Sequence, residues 1–235
     1  FSQCRAFDDG RSVALSCRWY QRACGANMAG LDPFADETRS VYERQATAYD
    51  TSRSRALFEA RWLARFSACL PGGGHVLDLG CGAGEPIARW FMAEGFSVTG
   101  IDYAQPMLDI ARARWPDGDW RQADMRALDL DQVFDGIIAW NSLFHLRPDE
   151  QRTCLAHLAR HLAPGGSLLA TVGPKAGEVT GTVGGETVYH ASLSPAAYAT
   201  CLEDNGLRLT GFLAEDPDTN AHSVLMARKD HDQET

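Results

Sequence analysis

The sequence predicts an α/β protein: a doubly wound, mostly parallel seven-stranded sheet with an antiparallel edge hairpin. Three observations carry this expectation. From His75 onward, short apolar runs alternate with amphipathic stretches of helical period, as they do where buried strands lie under helices on both faces. The last two apolar runs are joined by a loop instead of a helix, which points to an antiparallel pair at the edge. The chain has 235 residues, enough for one substantial domain with a real core.

Residues 1–27 stand apart from this pattern, with three of the seven cysteines, four arginines and no sustained period. They are expected to be an N-terminal extension, disordered or not native to the domain, which would open near Met28 and run to 229. Within 28–72, two helices are expected near 36–50 and 53–69. The second carries Leu57, Trp62, Leu63, Phe66 and Leu70 at near-helical spacing, and Pro71-Gly72-Gly73-Gly74 stops it. Strands are then expected at His75–Leu79, Ser97–Ile101, Trp120–Gln122, Phe134–Trp140 and Ser167–Val172. The helices between them fall at Glu85–Glu94, Ala104–Trp115 and Asp149–Leu162. Gly173–Glu186 holds five glycines and is expected to be irregular. The span 173–193 is a candidate lid or substrate segment, since ligands of open sheets bind near the carboxyl ends of the strands. A helix at Ser194–Asn205, strands at Arg208–Leu213 and Ser223–Ala227, and a polar tail over 230–235 complete the chain.

Composition narrows the function. Hydrophobic residues at 45% and charged residues at 23% describe an ordinary globular protein. A net charge of −9 has the wrong sign for gripping a phosphate backbone. No apolar stretch approaches the ~20 residues that cross a bilayer, and no terminal segment reads as a signal peptide. The expectation is a soluble cytoplasmic protein, monomer or homodimer, with no nucleic-acid or membrane partner. The odd number of cysteines without a C-x-x-C reads as reduced thiols.

The decisive stretch is Val76-Leu77-Asp78-Leu79-Gly80-Cys81-Gly82-Ala83-Gly84-Glu85-Pro86. A buried strand enters a loop with glycine at every second position, then a helix with proline near its first turn. The dinucleotide fingerprint G-x-G-x-x-G/A fails at its last position, where the Glu85 carboxylate would crowd the helix–strand contact and repel a pyrophosphate. A P-loop fails because no G-K-[S/T] follows. What remains is a small ligand with a carboxylate, an amine and a nucleoside but no phosphate. Asp78 suits a cationic group.

This D-x-G-x-G-x-G, with Thr99-Gly100-Ile101-Asp102 ending the second strand, resembles the class I S-adenosylmethionine-dependent methyltransferases. Further marks are Gln122-Ala123-Asp124-Met125, Phe134-Asp135-Gly136-Ile137-Ile138 and Leu162-Ala163-Pro164-Gly165-Gly166, in that order along Tyr42–Ala227. The resemblance implies a Rossmann-like methyltransferase fold with S-adenosylmethionine as cofactor and S-adenosylhomocysteine as product. Gly80, Cys81 and Gly82 would pass under the methionine part, with Asp78 steering its amino group. Asp102 would accept both ribose hydroxyls. Tyr103 and Met107 would flank the adenine, Asp124 would accept from its exocyclic amine, and the Met125 amide would face a ring nitrogen. Trp140 would contribute backbone near the sulfonium. Tyr42 and Tyr49 resemble residues that close over the cofactor, though their spacing of seven equally suits packing.

Asn141-Ser142-Leu143-Phe144-His145-Leu146 falls where an acceptor would lie and lacks the prolines of Asn/Asp-Pro-Pro-Tyr, against nucleic-acid or planar-amide substrates. His145 is the leading general-base candidate because imidazole titrates near neutrality, with a structural role as the alternative. His190, beside Tyr189, is a second catalytic candidate. His157 and His161 have i, i+4 spacing, but both are expected on the face away from the Leu155, Leu158 and Leu162 stripe, and no metal is expected. The acceptor is expected to be a small molecule. Two other readings stay open: a nicotinamide-dependent oxidoreductase and a non-catalytic S-adenosylmethionine-binding protein.

Overall fold

The computed structural model describes residues 30–231, so the expected extension over 1–27 and the end of the polar tail lie outside the described residues. The strands in chain order are β1 (His75–Leu79), β2 (Ser97–Asp102), β3 (Asp119–Gln122), β4 (Phe134–Ala139), β5 (Leu162–Val172), β6 (Gly177–Val183), β7 (Glu186–Ser192), β8 (Leu207–Asp216) and β9 (His222–Lys229). The helices are α1 (Asp32–Ser52), α2 (Ala60–Ser67), α3 (Ile87–Ala93), α4 (Gln105–Arg114), α5 (Pro148–His161) and α6 (Pro195–Glu203).

Seven strands form one sheet in the order β3-β2-β1-β4-β5-β9-β8. β1 through β5 run parallel, and β9 and β8 complete the sheet antiparallel, as the sequence led us to expect. Side chains leave a strand on alternate faces, so β1 feeds two cores. Val76 joins Phe66, Phe91 and Leu108 on the α2–α3–α4 side, while Leu77 and Leu79 join Leu155, Leu158 and Leu202 on the α5–α6 side. Phe66 and Phe91 are fully buried and meet edge to face at 5.8 Å. Each such side chain contributes ~1.5–3 kcal/mol of burial. The chain order reverses between β1 and β4, and at that switch point their carboxyl ends open a crevice. Among the described residues no helix is long and apolar enough to cross a membrane.

Three expectations need correction. The first helix starts earlier, with Pro33 in its first turn, and the second is only Ala60–Ser67. Residues before it leave the helical path where the Ser54 hydroxyl accepts from the Ala56 N–H, a side-chain alternative to helical bonding. The segment expected to be irregular over Gly173–Glu186 instead supplies β6 and the start of β7, an antiparallel hairpin paired from Gly177↔Ser192 to Val183↔Glu186. Its turn, Gly184-Gly185, has φ of +57° and +83°, the two positive values that a two-residue hairpin turn demands. Finally, His161 does not lie on the outer face. It is 4% exposed, donates from Nδ1 to the His157 carbonyl and accepts from the Leu130 N–H at 2.8 Å. Among the described residues no His/Cys/Asp/Glu group is placed to hold a metal.

Candidate active site

A cavity opens beyond the ends of β1, β2 and β4, and α1 covers it. Its walls carry every site residue selected from the sequence except His190. The glycine loop forms the floor. Gly80 (φ +78°) and Cys81 donate to the Ile101 carbonyl, tying the loop to β2, and Gly82 (φ +54°) donates to Asp102 Oδ2 at 2.9 Å. A side chain on Gly82 would point into open space, whereas one on Gly80 would run into Ser142 Cβ. Gly82 therefore leaves room for a ligand, and Gly80 leaves room for the loop after β4. Cys81 is buried, and burial pushes its thiol well above the ordinary range, so it is an inert wall.

Two carboxylates flank this floor. Asp102 accepts from Gly82 on one oxygen and from the Ala104 N–H on the other at 2.8 Å. A carboxylate offers about four lone-pair positions, so acceptor capacity remains for two hydroxyls. Asp78 is 3% exposed and has no hydrogen-bond donor among the described residues. Burial pushes its carboxyl up to about 7, opposed by the Arg53 charge and reinforced by Asp102 and Glu59. A buried acid in that state is stabilised by a cationic donor, which a primary ammonium provides.

At the far end of the cavity, Asp124 accepts from the Arg126 main chain and guanidinium and from Arg39 Nη1 at 2.8 Å. Burial raises its carboxyl, but the Arg126 bonds and the Arg39 charge more than offset this and hold it below the usual range. Arg39 also covers the ring of Tyr103, with its guanidinium carbon 4.3 Å from the centroid. Met107 on α4 is buried against Ala46 and Ala104 while still reaching the wall, so its packing and lining roles coexist. Met125 and Trp140 complete the sides.

His145 is fixed at both nitrogens. Nδ1 lies 2.9 Å from the Tyr189 carbonyl, which only accepts, so Nδ1 carries the proton. Nε2 then accepts from the Tyr42 hydroxyl at 3.0 Å. Burial lowers its pKa to about 4, opposed by the Tyr189 carbonyl, so the ring stays neutral near pH 7. His190 sits behind it, buried between Phe144 and His145 at centroid distances of 4.8 and 4.9 Å. Tyr42 and Tyr49 meet edge to face at 5.4 Å.

Arg53, Arg39 and Glu59 escaped the sequence reading. Arg53 follows the last residue of α1, donates to Tyr49 Oη and the Glu85 carbonyl, and forms part of the cavity wall. Its only sequence signal is the i, i+4 spacing from Tyr49. Glu85 does not crowd the loop. Its carboxylate is held by Arg55 at 2.7 Å and by Arg114 at 3.2 Å, and Arg114 also grips Asp50 of α1. A second cavity of about 380 Å³ adjoins the first and shares Tyr49, Arg53, Trp140 and Asn141 with it.

A family model described as a methyltransferase domain matches residues 76–166. This match takes in the glycine loop and the strands from β1 to the start of β5, so that stretch is similar to a methyltransferase domain. Among curated proteins it is 34% identical over 148 residues to a dTDP-4-amino-2,3,4,6-tetradeoxy-D-glucose N,N-dimethyltransferase of Saccharopolyspora spinosa, covering 57% of each chain. It is 42% identical over 97 residues to a trans-aconitate 2-methyltransferase of Azoarcus, covering 40% of this chain and 36% of that one. The chain thus spans little more than half the length of the curated relatives it matches, or less. In fold it is similar to the Burkholderia thailandensis 1,6-didemethyltoxoflavin-N1-methyltransferase, with a TM-score of 0.68, 23% identity, and coverage of 88% of this chain and 93% of that one.

Proposed function

We propose that the chain transfers a methyl group from S-adenosylmethionine to a small-molecule acceptor. The observation that carries this reading is the pairing of two carboxylates across the glycine floor. Asp102 has spare acceptor capacity for a ribose, and Asp78, without a donor among the described residues, suits an ammonium. The bound cofactor supplies a methyl already activated by its cationic sulfur. The protein's work is alignment in a water-poor space, which α1 provides by covering the cavity.

His145 is the proton acceptor of this reading for acceptors that carry a proton. Its Nε2 faces Tyr42, and the hydroxyl of Tyr42 either relays the proton or yields its place to the acceptor. His190 backs the His145 ring and keeps it in position. The hairpin over 177–192 serves as a fixed cover, since the Tyr189 N–H donates to Thr38 of α1 at 2.9 Å and Glu186 accepts from Arg44 and Gln45.

Asp102→Ala tests the reading directly. Calorimetry should show S-adenosylhomocysteine affinity weakened by ~1.5–3 kcal/mol for each charge-assisted hydrogen bond lost. Unchanged affinity would refute the ribose assignment and the cofactor with it.

A further inference from the structure

Resting on the methyl-transfer reading, we propose that the second cavity receives the acceptor as an amine and that Glu59 is the carboxylate that holds it. Glu59 precedes α2 and is 4% exposed, yet it caps no helix N–H. Its carboxylate reaches its own main-chain N–H and lies 3.9 Å from Arg53 Nη2, beyond hydrogen-bond distance. The Arg53 guanidinium is already committed through Nε and Nη1 to the Glu85 carbonyl and Tyr49. A buried carboxylate so thinly served is stabilised by an N–H donor that brings its own positive charge.

Arg53, held by the Glu85 carbonyl and Tyr49, is the cation of this wall, and the remaining groups favour a cationic guest. His222 donates from Nδ1 to the Thr219 carbonyl, so its buried Nε2 presents a lone pair, and that atom has no partner among the described residues. Trp140, Tyr49 and Phe58 add aromatic surface, which attracts a cation. A carboxylate-bearing acceptor would instead set a second anion beside Glu59. The volume of about 380 Å³ suits a ring-sized molecule. Because Trp140 and Asn141 border both cavities, an amine here lies next to the cofactor cavity.

The chemistry balances. An ammonium held by Glu59 gives one proton to that carboxylate, which frees the nitrogen lone pair and, for an amine in this cavity, takes the place of His145 as proton acceptor. That pair forms the new N–C bond to the methyl of the sulfonium donor, the S–C bond breaks, and its electrons stay on sulfur as a neutral thioether. Glu59 then returns its proton to water.

Calorimetry of the full chain, first alone and then saturated with S-adenosylhomocysteine, would use cyclohexylamine at pH 7.5, cyclohexanol and cyclohexanecarboxylate as probes. The amine, present as its ammonium, should bind at least ~10-fold tighter than the alcohol, about 1.4 kcal/mol, and the carboxylate should bind weakest. Glu59→Gln should erase the preference for the amine while S-adenosylhomocysteine still binds. Undetectable amine binding, stronger carboxylate binding or an amine preference that survives in Glu59→Gln would each overturn the proposal. The three-probe comparison on the unmutated protein decides the matter even if the variant does not fold. Failure to bind S-adenosylhomocysteine would instead bring down the methyl-transfer reading, with amine preference then read on the protein alone.

Discussion

In the loop Gly80–Gly84 glycine makes room, while in the turn Gly184-Gly185 glycine makes a bend. Gly82 faces open cavity between two carboxylates, and its neighbours are tied to β2 by main-chain bonds. The turn residues close a hairpin whose strands pack on α1 through Val183, Val188 and Val41. The loop belongs to the sheet and changes little if the cover moves. The hairpin and α1 depend on each other, through Thr38–Tyr189 and the Glu186 contacts. The floor thus offers binding groups, while the cover offers shape and, through Tyr42 and the Tyr189 carbonyl, fixes the His145 imidazole that follows β4.

The strongest perturbation tests whether the imidazole that the cover holds also does chemistry. His145→Ala should lower turnover by roughly 100- to 10,000-fold if Nε2 takes the acceptor's proton, and S-adenosylhomocysteine affinity should stay as it was. The rate of the unmutated protein should fall as pH drops through about 4, because protonation then removes the Nε2 lone pair. A rate untouched by the substitution would reduce the cover to a lid and His145 to a structural residue.

On the floor, Asp78 should reveal itself through pH. Its folded carboxyl keeps a proton up to about pH 7, whereas the unfolded chain gives it up near 3.8. Folding stability is therefore lost as pH rises through that interval, by roughly 4 kcal/mol in total. Asp78→Asn removes this loss, so the variant should melt higher than the parent at pH 8 and match it near pH 4. It should also bind S-adenosylhomocysteine poorly. Equal pH dependence in the two proteins would show that Asp78 ionises normally.

Two substitutions then divide the loop itself. Gly80→Val forces a side chain into Ser142 and should destabilise the fold by ~1–3 kcal/mol. Gly82→Val points into the cavity, so denaturation curves should move less while cofactor binding is lost. Identical melting losses for the pair would contradict the division of labour between them.

The floor was legible because its signals are local. Gly80, Gly82, Asp78 and Asp102 follow two buried strands at short spacing, and a parallel sheet places such strand ends side by side. The cover was not. Gly177 and Gly181 interrupt β6, so Gly177–Val183 shows no clean strand alternation, and Gly181 is needed where a Cβ would press on His190. The hairpin's signal was Gly184-Gly185 flanked by Val183 and Val188, which the count of glycines concealed. Arg53 and Glu59 were invisible for another reason. Both owe their position to the short non-helical link between α1 and α2, where no periodicity applies.

The mildest changes lie in the turn. Gly184→Ala places a non-glycine residue at φ +57°, a left-handed conformation that costs ~1–2 kcal/mol. Its Cβ also runs into the Gln45 side chain, whose amide donates to Glu186 Oε1 at 2.8 Å. Gly185→Ala carries the same kind of backbone cost at φ +83° but meets nothing within 4 Å. Both variants should melt lower, by about 2–8 °C for a chain of this size, and Gly184→Ala should fall further because Gln45 must let go of Glu186. Gly185→Asn should recover part of the loss, since asparagine tolerates the left-handed region. If the two alanine variants melt alike, the turn is held by its backbone alone and the Gln45 contact with the hairpin contributes nothing to the cover.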